Sequence, residues 1–195
     1  MSSRYARELR TLLDEIAAPE PAPGAGAVSG MVVAMAAGLI ASAARRSPDW
    51  PEARGISAQA HALRSRVERL AEANEDAYLA ALALIDDASE HGGRDVTIGA
   101  ALDTAAELPL AISECAYGVA LLGADTAEHA VPGGAEDAAA AALLGEAAAR
   151  AVAGLVACNL AALPGDGRVE QARELADVTS AAARRATAAI AAPAR

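Results

Sequence analysis

The sequence predicts an all-α protein, an antiparallel bundle of about six helices forming one domain over residues 1–195. Three observations carry that expectation. Alanine fills 58 positions, a composition with high helix propensity that lets helices approach closely. No stretch alternates Val, Ile, Thr and Tyr as a strand would. Apolar residues recur instead at spacings of three and four, between turns marked by Pro and Gly.

Ser2 or Ser3 can cap a first helix with Tyr5, Leu9, Leu12, Leu13 and Ile16 on one face, ended by Pro19. The segment 21–44 carries no charge and is expected to be the central buried element. Its first part, Pro21-Ala22-Pro23-Gly24-Ala25-Gly26-Ala27, is a loop. Its second part is a helix in which Val28, Met31, Val32, Met35, Leu39 and Ser42 share one arc at ~100° per residue. Small residues before a helix start leave main-chain N–H groups and the positive dipole end open to an anionic or polarised ligand.

Arg45-Arg46-Ser47-Pro48-Asp49-Trp50-Pro51 breaks the chain, and two arginines there suit the negative end of the preceding helix dipole. From about Glu52 to Asp87 runs one long helix with the stripe Leu63, Val67, Leu70, Asn74, Ala77, Ala81 and Ile85. Asn74 sits in the middle of that stripe, so its amide either ties two helices together or lines a cavity. Glu75 and Asp76, ~100° and ~200° further round, turn toward solvent or a flank.

After His91-Gly92-Gly93, Asp95-Val96-Thr97 opens a helix through Leu102 and Ala106 that kinks or restarts at Pro109 and ends near Leu122. Val131-Pro132-Gly133-Gly134 is a turn. The next helix, from about Ala135 to Leu163, places Asp137, Leu144, Ala148, Leu155 and Asn159 on one face, with Asp137 in the first turn, where an acid often caps. Pro164-Gly165-Asp166-Gly167 ends it, and an amphipathic helix, Arg168–Ala192, closes the chain through Val169, Leu175, Val178, Ala182 and Ile190.

Composition narrows the function. The net charge is −10, lysine is absent, and there are one Trp and three Tyr, which argues against nucleic-acid binding. The N-terminus carries Arg4, Glu8 and Asp14 on an amphipathic pattern, unlike a signal peptide, so the protein is expected in the cytoplasm. The segment 21–44 is long enough to raise a membrane span, but Ala and Gly supply little transfer free energy and the other helices read as amphipathic. No membrane partner is expected. Cys115 and Cys158 are expected as free buried thiols, and His61, His91 and His129 as isolated side chains. No metal site and no cofactor is foreseen.

The loop Pro21-Ala-Pro23-Gly24-Ala25-Gly26-Ala27 resembles the Pro-x-Pro-Gly-Gly-Gly-Ser signature of the cyclodeaminase/cyclohydrolase family, with Ala25 for the middle glycine and Ala27 for the serine. That family includes formiminotetrahydrofolate cyclodeaminases and one kind of methenyltetrahydrofolate cyclohydrolase. Arg45-Arg46 stands where the family commonly has Gly-Lys-Lys or Gly-Arg-Arg. Ala105-x-x-x-Pro109 matches its spacing, and Asp137 and Asn159-Leu160 match a Ser-Asp and the end of an Asn-Val-x-x-Asn-Leu, with Glu136 and Leu155 as departures.

The family's Asp-Ala-x-Ala-Phe/Tyr, whose aspartate is taken as catalytic, aligns through Tyr78 to put Asn74 at the acid position. A shifted alignment places Asp76 there. The resemblance implies opening of methenyltetrahydrofolate or closure of formiminotetrahydrofolate with loss of ammonia, hydrolase or lyase chemistry without a cofactor. It implies catalytic roles among Asn74, Asp137 and Asp76, and ligand contacts from Gly24, Ala25, Gly26, Ala27, Tyr78 and Asn159. Arg45 and Arg46 would hold an anionic tail. A helix from Ala27 to Arg46 is ~30 Å long, so one small reacting centre cannot touch both its ends within one subunit. The family implies a homodimer. Because Asn74 cannot shuttle a proton as a carboxylate does, the alternative is a diverged member handling a different iminium or cyclisation, or binding without turnover.

Overall fold

The computed structural model describes residues 3–19, 23–91, 95–161 and 163–191. These form six α-helices and no strand: α1 Ser3–Ile16, α2 Ala25–Arg45, α3 Ala53–His91, α4 Asp95–His129, α5 Gly134–Asn159 and α6 Gly167–Ala191. Pro21, Ala22, Gly92, Gly93 and Ala192 lie outside the described residues, as do the side chains of Tyr5, Ile85, His91 and Leu102.

The all-α expectation holds. α2 packs between α3 and α5, and α4 joins α3, α5 and α6. The sequential pairs α2–α3, α3–α4 and α4–α5 run antiparallel, as short turns require, whereas α4 and α6 run parallel, with Arg185 near the end of α6 on Glu128 near the end of α4. Gly26 faces Asn74 while Gly30 faces Ala71, and Gly123 faces Ala138 while Gly145 faces Ala116. A Cβ on Gly30 would stand 2.8 Å from Ala71 Cβ, so α2 and α3 touch almost backbone to backbone.

That close approach corrects the expected face of α2. The arc of larger side chains lies on the outer flank, with Met35 62 % exposed. The buried side is the small one, Ala27, Gly30, Val33, Ala37, Ile40 and Ala44. Size misled the reading, because helices that pack through Gly and Ala bury the residues that permit contact rather than those with most surface. The expected stripe of α5 likewise falls at the edge of its buried face: Ala148 is buried, while Leu144 is 38 % exposed.

Further corrections concern length and surroundings. α4 passes through Pro109 and continues to His129, beyond the expected Leu122. Cys115 is buried, and burial pushes its thiol pKa up, with Arg66 opposing and Glu114 adding. Cys158 is exposed, contrary to the expected burial. Two histidines have partners: His61 meets Arg45, and the His129 ring stacks on Trp50 with centroids 5.2 Å apart. Among the described residues, three helices rather than one are long and apolar enough to cross a membrane by length and composition: Ala25–Arg45, Ala105–His129 and Gly134–Asn159.

Ion pairs fasten the outer surfaces. Arg66 of α3 meets Glu114 of α4 at 3.0 Å, and Arg185 of α6 meets Glu128 of α4 at 2.7 Å and also pairs with Asp125.

Candidate functional site

Where α2 begins, the bundle encloses a cavity of about 400 Å³. Gly24, Ala25 and Gly26 form one wall, and Asn74, Tyr78 and Ala81 of α3 form the next. Ala105 and Pro109 of α4 and Leu155 and Asn159 of α5 complete it. The spacing of Asn74, Tyr78 and Ala81 explains the α3 wall, since residues four and seven apart share a helical face.

Asn74 is only 9 % exposed, and its amide makes no hydrogen bond among the described residues. Gly26 makes room for it: a Cβ there would stand 2.5 Å from Asn74 Nδ2. The amide oxygen and nitrogen open on the cavity rather than being sealed in protein, so they offer unused hydrogen-bonding capacity there.

The helix start adds donors. The first bond of α2 is Val28 N–H to Gly24 O at 3.1 Å, and no side chain caps Gly24. The N–H groups of Ala25 and Gly26, which line the cavity, therefore remain available, while Ala27 is fully buried. The Ser29 hydroxyl is already used, because its Oγ donates to Ala25 O at 2.7 Å.

Asn159 contributes an acceptor. Its Nδ2 donates to Ala105 O at 2.6 Å, and because a carbonyl needs a donor, this assigns the amide orientation and leaves Oδ1 unoccupied. Tyr78, 40 % exposed, is the titratable side chain among the lining residues. Among the described residues the lining includes no carboxylate.

The structure thus gathers Gly24, Ala25, Gly26, Asn74, Tyr78 and Asn159 around one cavity. It places Ala27 within the α2 core and Asp76 on the exposed side of α3. Asp137 lies at the start of α5, paired with Arg46 at the end of α2, and Arg45 Nη1 donates to His61 Nε2 at 3.0 Å. These three belong to the opposite end of α2. Ala81, Ala105, Pro109 and Leu155 line the cavity although the sequence suggested only packing for them. The Ala105-x-x-x-Pro109 spacing was the signal at hand, but what it does depends on how α4 meets α5.

The family described as formiminotransferase-cyclodeaminase has a model that matches residues 8–178. A crystal structure of a formiminotetrahydrofolate cyclodeaminase from Thermotoga maritima superposes with a TM-score of 0.82, at 22 % identity, covering 93 % of this chain and 94 % of that one. No curated protein matches the chain.

Proposed function

The chain belongs to the formiminotransferase-cyclodeaminase family, and on that premise we propose that its cavity binds a reduced folate by the one-carbon bridge. The reaction is then opening of a methenyl bridge by water or closure of a formimino group with loss of ammonia. The observation that carries this reading is Asn74, a largely buried residue whose amide has no hydrogen-bond partner among the described residues and opens on a cavity of about 400 Å³.

Both reactions pass through a tetrahedral carbon between nitrogens and start from a delocalised cation. Asn74 and Asn159 Oδ1 can hold water against that carbon and accept from its N–H groups, while the open N–H groups of α2 hold a polarised carbonyl of the ring. Proton removal then falls to bulk water, with the Tyr78 phenol able to donate a hydrogen bond to the departing or ring nitrogen, and no cofactor is needed.

Asn74, an amide where the resemblance puts a catalytic acid, and a lining without a carboxylate among the described residues support a second reading, in which the diverged site binds its ligand without turnover or handles another iminium. Titration with a panel of reduced folates, followed by rate measurement on each binder, separates the two. Turnover by the natural chain supports the first. Binding without turnover, with methenyltetrahydrofolate hydrolysis appearing in Asn74→Asp, supports the second. Absence of binding by every reduced folate overturns the first reading and leaves the diverged site to another iminium.

Asp137→Asn should leave turnover unchanged, since Asp137 pairs with Arg46 at the far end of α2. A homodimer forms part of this reading. Its support is an apolar groove between α1 and α2 with Leu9, Leu13 and Met35 exposed, and Met35→Glu should shift light scattering toward the monomer mass. A cytoplasmic location is tested by finding the chain in the supernatant after membranes are pelleted, a necessary control given three helices of membrane-spanning length.

A further inference from the structure

Beneath the exposed edges of Leu9, Leu13 and Met35 lies a gap of about 470 Å³, bounded by α1, the outer arc of α2 and one side of α3. α1 packs closely against no other helix among the described residues, so this gap stays open. It shares no lining residue with the cavity at Asn74.

The apolar walls are adaptable. Met31 and Met35, two of the three methionines of the chain, stand one turn apart there, and a thioether on three rotatable bonds can follow an apolar body of varied shape. The α3 side is acidic instead. Glu68, Glu72 and Glu75 line it at spacings of four and three, which puts all three on one helical face over ~10 Å. Glu68 takes Arg64 at 2.8 Å, whereas Glu72, exposed, and Glu75, half-buried, pair with no cation among the described residues. Neither Arg nor His lines the groove among those residues. Two unpaired carboxylates beside hydrocarbon call for a positive group that carries hydrocarbon with it. A second copy of a chain with net charge −10 is a poor source of that charge.

We propose that this groove binds an amphiphilic cation, with a hydrocarbon body of about eight carbons against Met31, Met35 and the α1 leucines and a single ammonium head at Glu72 and Glu75. The site stands apart from the folate reading, since neither its residues nor its charge serve the cavity at Asn74.

Isothermal titration calorimetry on the full chain, at constant ionic strength and below the concentration at which the amine aggregates, compares octylammonium with hexylammonium, 1-octanol and octanoate. Octylammonium is expected to saturate, and hexylammonium to bind about tenfold more weakly for the two methylenes it lacks. Octanol and octanoate should bind more weakly than octylammonium. Glu72→Gln and Glu75→Gln should each weaken octylammonium about twofold to fivefold, while Glu174→Gln, an exposed acid of α6, leaves it unchanged and so controls for net charge. Circular dichroism establishes that each variant folds. The proposal is overturned by no saturation with octylammonium, whether a second copy or nothing fills the groove. Equal or tighter binding of octanol or octanoate overturns it too, as does a loss in Glu174→Gln that matches the losses at Glu72 and Glu75.

Discussion

Asn159 donates through Nδ2 to the carbonyl oxygen of Ala105 at 2.6 Å, joining the end of α5 to the middle of α4. Ala105 would ordinarily receive the N–H four residues on, but that residue is Pro109, which has none. The amide of one helix therefore fills the gap that a proline opens in another, and the same contact orients an acceptor at the cavity.

Removing the amide should accordingly cost stability only while the proline is present. Asn159→Ala is expected to lose about 1–3 kcal/mol in urea unfolding. In a Pro109→Ala background, where residue 109 regains its N–H, the loss should fall below ~1 kcal/mol. Equal losses in both backgrounds would show that the bond does not compensate for the proline.

Gly26 and Gly30 sit one turn apart on α2 yet should respond differently to a methyl group. At Gly30 the Cβ would meet Ala71 Cβ at 2.8 Å and its Cα at 3.4 Å, atoms that cannot rotate away. Gly30→Ala should therefore wedge α2 from α3 and destabilise by about 1–3 kcal/mol. At Gly26 the obstacle is the Asn74 amide, which can swing. Gly26→Ala should shift the melting temperature less and weaken ligand binding more, and the reverse ranking in melts and titrations would contradict this packing.

Asn74→Asp should make stability strongly dependent on pH. The carboxylate would enter a position that is 9 % exposed, in a cavity with no cation in its lining among the described residues, so its folded pKa rises above the usual value of about 3.9. A raised folded pKa means that the folded state binds more protons than the unfolded one. Stability relative to the natural chain is then best near pH 4 and declines as pH rises toward the shifted pKa. Melts at pH 4 and pH 7 check the sign, and a variant that gains on the natural chain between them would refute the burial of this position.

The clasp between α6 and α4 should show the opposite dependence. The Arg185 hydrogen bond holds the Glu128 carboxyl below its ordinary pKa, so its contribution is present above the unfolded value and lost as pH falls through the folded one. Because both partners are more than a third exposed, Arg185→Ala should cost only about 0.5–1 kcal/mol at pH 7. Thermal melts should find that difference shrinking below about pH 4.

The α3 stripe was legible in the sequence because it alternates large apolar residues with charged ones. Leu63, Val67, Leu70, Asn74 and Ala81 all turn inward or half inward, and Asp76 turns out. From that face and the glycine loop, the gathering of Gly24–Gly26, Asn74 and Tyr78 follows. On α2 and α5 the contrast vanishes: nearly every residue is apolar, and burial is decided by which side can approach a neighbour. The role of Asn159 was hidden for another reason. Its bond to Ala105 depends on the register of α5 against α4, which no local pattern encodes. The remoteness of Arg46 from the glycine loop needed only the rise of a helix, whereas that of Asp137 comes from its tertiary pairing with Arg46, which no local pattern encodes.

An interior built so largely of methyl groups carries a thermal consequence. Alanine gives up no rotamer freedom on folding, so ordering such a core costs little side-chain entropy. It also hides less hydrocarbon per residue than a Leu- and Phe-filled bundle, and hydration of exposed hydrocarbon is what makes the heat capacity of unfolding large. With Ala27, Ala37, Ala44, Ala116, Ala142 and Ala183 at its centre, this bundle should trade a tall, sharply curved free-energy profile for a lower and flatter one, changing little between cold and warm surroundings.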